Sequence, residues 1–135
     1  MPLTKADYVA LAAFRAALRR FLLFSESAAR AVGLSPQQHQ LLLAVKGQPG
    51  RDWSAVGEIA AGLGVRHHTA VGLVDRCVEL GLVKRRREGA DRRVVQVWLS
   101  PKGARLLERL SRQNRRELEA LRKALRMRAL VRREG

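Results

Sequence analysis

The chain has one cysteine, Cys77, so no disulfide can close within it and nothing calls for an oxidising compartment. Aromatic residues make up only 4%, and acidic residues number 12 against 27 Lys and Arg, a formal charge of +15. That imbalance favours a polyanionic partner. Apolar stretches such as Phe21 to Phe24 are far too short to cross a bilayer, which excludes a membrane span. Lys5, Asp7, Arg15, Arg19 and Arg20 also break up the N-terminal apolar positions, so that segment does not read as a cleavable signal. A soluble cytoplasmic protein is expected. Also missing are a phosphate-binding glycine loop, a nucleophile elbow, a zinc-hydrolase motif and a pair of acidic residues in a catalytic setting. The chain is therefore not read as an enzyme, with neither catalytic residues nor a cofactor. What is present is 135 residues, 47% of them apolar and 29% charged, material for one core and not for two.

Hydrophobic periodicity predicts a mainly helical chain. Tyr8, Leu11, Phe14, Leu18, Phe21, Leu22 and Ala29 recur at three- and four-residue steps, which makes Lys5 to about Ala31 one long amphipathic helix ending near Gly33. Ser35-Pro36 opens a second helix through Leu41, Leu42 and Val45, closed by Gly47. A third follows Trp53-Ser54 and stops at Gly64; a fourth begins near His67 and stops at Gly81. Leu82 to Arg87 and Val94 to Leu99 read as two strands of a hairpin around the polar turn Glu88-Gly89-Ala90-Asp91. Ser100-Pro101 repeats the cap signature and opens a last helix through Leu106, Leu107, Leu110, Leu118, Leu121 and Leu125. Its Arg-rich end from Arg126 is expected to fray.

Val56 to Leu80 has the pattern of a helix-turn-helix. Small Ala60 lets two short helices cross closely, Gly64 permits a left-handed turn, and Ile59, Leu63, Val65, Ala70 and Leu73 lock the axes at a steep angle. With Ala70, Leu73, Val74 and Cys77 turned inward, the outward face comprises His67, His68, Thr69, Gly72, Asp75, Arg76 and Glu79, preceded by Arg66. Such a short, polar, cation-capable helix start can enter a major groove about 12 Å wide, and Gly72 allows close approach to the DNA backbone. In the hairpin, Lys84, Arg85, Arg86, Arg87, Arg92 and Arg93 crowd together, an arrangement favoured chiefly by a bound polyanion. Glu88 and Asp91 can hold individual guanidinium groups, and Arg93 is the candidate for a narrow minor groove with Asp91 orienting it.

The string Val65 to Arg85, with Leu73-Val74-Asp75-Arg76 and Gly81-Leu82-Val83-Lys84-Arg85, then Asp91-Arg92-Arg93, Leu99-Ser100 and Gly103, resembles the multiple-antibiotic-resistance regulator (MarR) family of winged-helix repressors over nearly the whole chain. The resemblance implies one MarR-like domain over 1–135. Its DNA-binding winged helix-turn-helix would occupy 35–100 and its helical dimerisation part 4–32 and 101–130. The family's Asp-x-Arg wing signature falls on Asp91 and Arg93. Where the family often has serine or proline at the start of the recognition helix, this chain has Arg66, His67 and His68, and Gly72 replaces a frequent basic residue. The resemblance further implies a homodimer that binds a pseudo-palindromic operator in double-stranded DNA, and a small lipophilic or phenolic effector. Phe14, Phe21 and Trp53 stand either as lining of an effector cleft or as ordinary core. Independently, the first and last helices carry more apolar stripe than a small winged domain can cover, with Tyr8, Leu11, Phe14, Leu18, Leu110, Leu118, Leu121 and Leu125 as candidates for burial against a second copy.

Several features have plainer readings. His67 and His68, with His39, raise the thought of a metal, but helical neighbours point in different directions and no i, i+4 histidine pair exists, so no metal site is expected. Cys77 occupies a position where leucine would serve and is read as a buried, inert thiol. Arg105, Arg109, Arg112, Arg115, Arg116 and Arg122 alternate with Glu108, Glu117 and Glu119, the pattern of a solvated, ion-paired face that extends the positive field. The same charge would serve two other classes of protein, a winged helix on RNA or ribosomes and a basic protein-interaction module.

Overall fold

The structure, a computed structural model, describes residues 1–87 and 89–134, with 127–134 described by backbone alone. The element order is α1 (Lys5–Ala31), α2 (Pro36–Lys46), β1 (Trp53–Ala55), α3 (Val56–Leu63), α4 (His67–Glu79), β2 (Val83–Arg86), β3 (Gln96–Leu99) and α5 (Pro101–Glu134). The chain divides into two compact units, one of 29–109 and one of 1–28 with 110–135.

In the unit 29–109, local chemistry fixes each boundary. Gly33, at φ +83°, turns the chain out of α1. Ser35 then caps α2 through a reciprocal box: its Oγ accepts from the Gln38 N–H at 3.1 Å, and Gln38 Oε1 accepts from the Ser35 N–H at 2.9 Å. Glu58 Oε1 accepts from the Ala55 N–H at 2.9 Å at the start of α3, while its other oxygen pairs with Arg51. The Arg51 guanidinium lies 3.9 Å from the Trp53 ring centroid, so one arginine ties the loop to the strand and the helix start. Gly64, at φ +67°, ends α3, and the Val65 N–H returns to the Ala60 carbonyl at 3.0 Å.

The core of this unit joins Leu41, Leu42 and Val45 of α2 to Ile59 of α3, Ala70, Val74 and Cys77 of α4, and Val83 and Val97 of the sheet, all at most 2% exposed. Burying each large aliphatic side chain is worth about 1.5–3 kcal/mol. The sheet has three antiparallel strands in the order β1-β3-β2, with Trp53 opposite Trp98 and Val83 opposite Leu99. This corrects the expectation of two strands alone: β1 was not foreseen, since its three residues are too few to show alternation and its partner β3 lies far along the chain. Ser54 of β1 is fully buried, and its Oγ accepts from Gln48 Nε2 at 3.2 Å.

The start of α5 is fastened to the α4–β2 turn. Ser100 Oγ donates to the Gly81 carbonyl at 2.5 Å and accepts from the Gly103 N–H at 3.0 Å, and Lys102 Nζ donates to the Leu80 carbonyl at 3.0 Å. A Cβ on Gly103 would run into the Leu82 carbonyl oxygen, so the glycine is required by close approach of two backbones.

The unit of 1–28 and 110–135 is helical and little buried. Its buried apolar side chains, among those described, are Ala17 and Leu110, with Asn114 the buried polar one. Asn114 Nδ2 donates to the Leu110 carbonyl at 2.7 Å. Tyr8, Val9, Leu11, Leu22, Leu23 and Phe24 of α1, and Leu118 and Leu125 of α5, stay exposed. Between the two helices runs an apolar groove of about 680 Å³, floored by Ala6, Ala10, Ala13 and Ala17 and faced by Ala120 and Ala124. Among the described residues, no helix is long and apolar enough to cross a membrane.

Candidate nucleic-acid interface

The second helix of the helix-turn-helix is α4. Arg66 precedes it as an extended residue at φ −71° and ψ 156°, which leaves the first N–H groups of α4 without a side-chain cap and open to an outside acceptor. Ala70, Val74 and Cys77 face the core, and Arg66, His67, His68, Thr69, Gly72, Asp75, Arg76 and Glu79 are all exposed. Nothing lies within 4 Å of where a Gly72 Cβ would stand, so the helix surface there is open. Val71, 36% exposed, joins this face and was missed. Its position four residues after His67 was the available signal.

Not every cation of this face is free. Arg76 pairs with Glu79 of its own helix at 3.0 Å, and Arg85 of β2 pairs with Asp75 of α4. Arg85 therefore links the base of the wing to α4. In the wing, Arg86 lies 5.3 Å from the Trp98 ring centroid, and Arg87 donates to the Arg92 carbonyl at 3.2 Å. Asp91 Oδ1 accepts from the Arg93 N–H at 3.0 Å and stands 3.5 Å from Arg93 Nε, while the Arg93 side chain remains 96% exposed. A pair so exposed adds little stability. Lys84 and Arg92 are exposed, and Glu88 lies outside the described residues. Between α4, the start of α3 and the wing is a hollow of about 410 Å³ lined by Val56, His67, Val71, Arg85, Arg93 and Val95.

Cys77 is fully buried, and burial pushes its thiol up to about 11, which leaves little thiolate at neutral pH. His39 is buried on α2, where desolvation lowers its pKa, whereas His67 and His68 stand exposed on α4. Among the described residues, no three His, Cys, Asp or Glu side chains gather as a metal site would need. Of the candidates for contact with a second copy, Tyr8, Leu11, Leu118 and Leu125 are exposed, Phe14, Leu18 and Leu121 half-buried, and Leu110 fully buried within its own chain. Phe21 and Trp53 are half-buried, Trp53 beneath Arg51.

The helix pair α3 and α4 joined by a tight turn at Gly64, the polar outward face of α4 and a cationic two-stranded wing backed by a third strand define a winged helix-turn-helix protein. Residues 32–94 match the MarR family model. The fold is that of a MarR family protein from Bacillus stearothermophilus, with a TM-score of 0.73 and 24% identity over 87% of this chain and 80% of that one. CouR from Rhodococcus jostii RHA1, solved with p-coumaroyl-CoA, matches at TM-score 0.63 and 26% identity over 73% of this chain and 67% of its own. BpsR from Bordetella bronchiseptica, whose DNA binding is regulated by 6-hydroxynicotinic acid, matches at TM-score 0.64 and 19% identity over 99% and 97%. No curated protein matches the sequence. Over residues 32–94 the chain is similar to the MarR family, and its fold is that of solved MarR family proteins.

Proposed function

We propose that this protein is a cytoplasmic transcriptional repressor that binds a pseudo-palindromic operator as a homodimer and releases it on binding a small lipophilic or phenolic effector. The observation that carries the reading is the exposed polar start of α4 beside an arginine-rich wing whose tip arginine, Arg93, is held at its root by Asp91 and otherwise free. His67, His68 and Thr69 meet base edges in the major groove, and the uncapped N-terminus of α4 accepts a phosphate. Arg86, Arg87, Arg92 and Arg93 meet the minor groove and its flanking phosphates. Exposed apolar residues at Tyr8, Leu11, Leu118 and Leu125 supply the contact with a second copy. The effector rests on family likeness to CouR and BpsR, whose ligands are an aromatic acyl thioester and a hydroxylated aromatic acid.

Counterion release dominates such binding. A dimer that neutralises roughly eight phosphates has an affinity falling with salt at a log–log slope near −7. The test is a salt titration against mixed duplex DNA, A-form RNA and single-stranded RNA. A steep slope with duplex DNA preferred supports the reading; preference for RNA, or no affinity for any duplex at low salt, overturns it.

A further inference from the structure

The positive charge is not concentrated in the winged part. Residues 29–109 hold 14 Lys and Arg against 7 Asp and Glu, whereas 1–28 with 110–135 hold 13 against 5, so a net +8 of the +15 lies outside the helix-turn-helix and wing.

Much of this charge is ordered on one side of α5. At 100° per residue, Arg112, Arg115, Arg116, Arg122, Lys123 and Arg126 share a face with Glu119 among them and Lys123 at its edge toward the α1 groove, with Leu110, Asn114, Leu121 and Ala124 opposite. All six cations are exposed, and the opposite four are buried or half-buried. The alternating sequence suggested an ion-paired face, but the pairing is partial. Arg122 meets Glu119 at 3.1 Å and Arg112 also has a partner, whereas Arg115, Arg116, Lys123 and Arg126 have no ion pair among the described residues. Between Arg112 and Arg126 the helix rises about 21 Å, a length over which duplex DNA carries roughly 12 phosphates.

The composition of this face selects the partner. The cationic face itself carries no apolar side chain; Leu118 and Leu125, each 46% exposed, lie on the adjoining side of the helix, where the proposed function puts the second copy, so the arginines are left for a polyanion. Arginine predominates, and a guanidinium suits bidentate contact with phosphate oxygens. We infer that the outer face of α5 from Arg112 to Arg126 is a second contact surface for the phosphate backbone of duplex DNA, independent of base sequence. The inference rests on the DNA-binding reading above and adds to it a surface that the winged part does not contain.

The test compares wild type with Arg115→Gln/Arg116→Gln/Arg126→Gln on a random-sequence duplex of about 60 base pairs, with phosphatidylserine vesicles as the alternative probe. These exposed positions tolerate glutamine at little cost to the helix, which circular dichroism and melting temperature check. The variant is expected to bind the duplex with a salt slope shallower by roughly 3 for each copy of the chain that engages it and an affinity at 50 mM salt lower by about tenfold or more, while Lys at the same positions keeps the slope. A variant indistinguishable from a duplex-binding wild type overturns this inference and leaves the proposed function standing. A wild type with no duplex affinity overturns both. Loss confined to vesicles shows a lipid-binding face and also overturns it.

Discussion

The two units of this chain treat their apolar residues in opposite ways. Within 29–109, Leu41, Leu42, Ile59, Val74 and Val97 are sealed, and the large apolar side chains left exposed are Leu43 and Val71. Within 1–28 and 110–135, burial reaches Ala17 and Leu110, while Tyr8, Val9, Leu11, Leu22, Leu23, Phe24, Leu118 and Leu125 face solvent. The winged part has a core of its own. The helical part has apolar surface in search of a cover, and a second copy of the same chain is the cover that the proposed function requires.

This contrast can be broken by substitutions placed on either side of it. Ile59→Ala should cost about 2–5 kcal/mol in a denaturant titration, because it opens a cavity in a sealed core. Leu118→Ala, at a side chain already 46% exposed, should change the stability of the isolated chain by no more than about 0.5 kcal/mol. On association the order reverses. Leu118→Ala with Leu125→Ala should weaken the dimer by about 2 kcal/mol or more in sedimentation, while Ile59→Ala leaves the association of folded chains unchanged.

Smaller effects sharpen the division inside the winged part. His68→Ala or Thr69→Ala should relax base choice by about 1–3 kcal/mol at individual positions, seen as a reduced ratio of operator to random-duplex affinity. Arg93→Ala should weaken sites with A·T-rich flanks most, and a flank-independent loss would remove the minor-groove role. Asp75→Asn removes a negative charge from this face and frees Arg85, and should raise affinity for all duplexes by about 0.5–1 kcal/mol without changing that ratio.

The smallest effect is a pH dependence from His39. Burial lowers its folded-state pKa below the ordinary 6.5, so the unfolded chain binds the proton more readily. Stability is therefore full above about pH 6.5 and falls as pH drops through and below that value. His39→Leu should flatten the melting temperature between pH 7 and 5, and an unchanged slope would assign it to other groups.

Periodicity and punctuation made most of the helical architecture legible. Ser35-Pro36, Gly64 and Ser100-Pro101 announce boundaries by chemistry acting over three or four residues, and the structure has those boundaries. Strand β1 was invisible because its hydrogen bonds go to β3, a partner that no local pattern declares. The same limit applied to the site. The outward set on α4 followed from helical spacing, but the Asp75–Arg85 pair joins residues of different elements, and Arg85 read as one more wing cation until the sheet placed it beside α4. Gly103 shows the reverse case: the family resemblance singled it out, and only the approach of the Leu82 carbonyl gives its physical reason.

The central claim is that two copies of this chain present two recognition helices to one face of a duplex. Selection of bound sites from a random duplex pool tests it most directly. The account predicts enrichment of inverted repeats whose half-site centres lie about 34 Å apart, one helical turn. Enrichment of single, unpaired half-sites, or of no sequence at all, would contradict it.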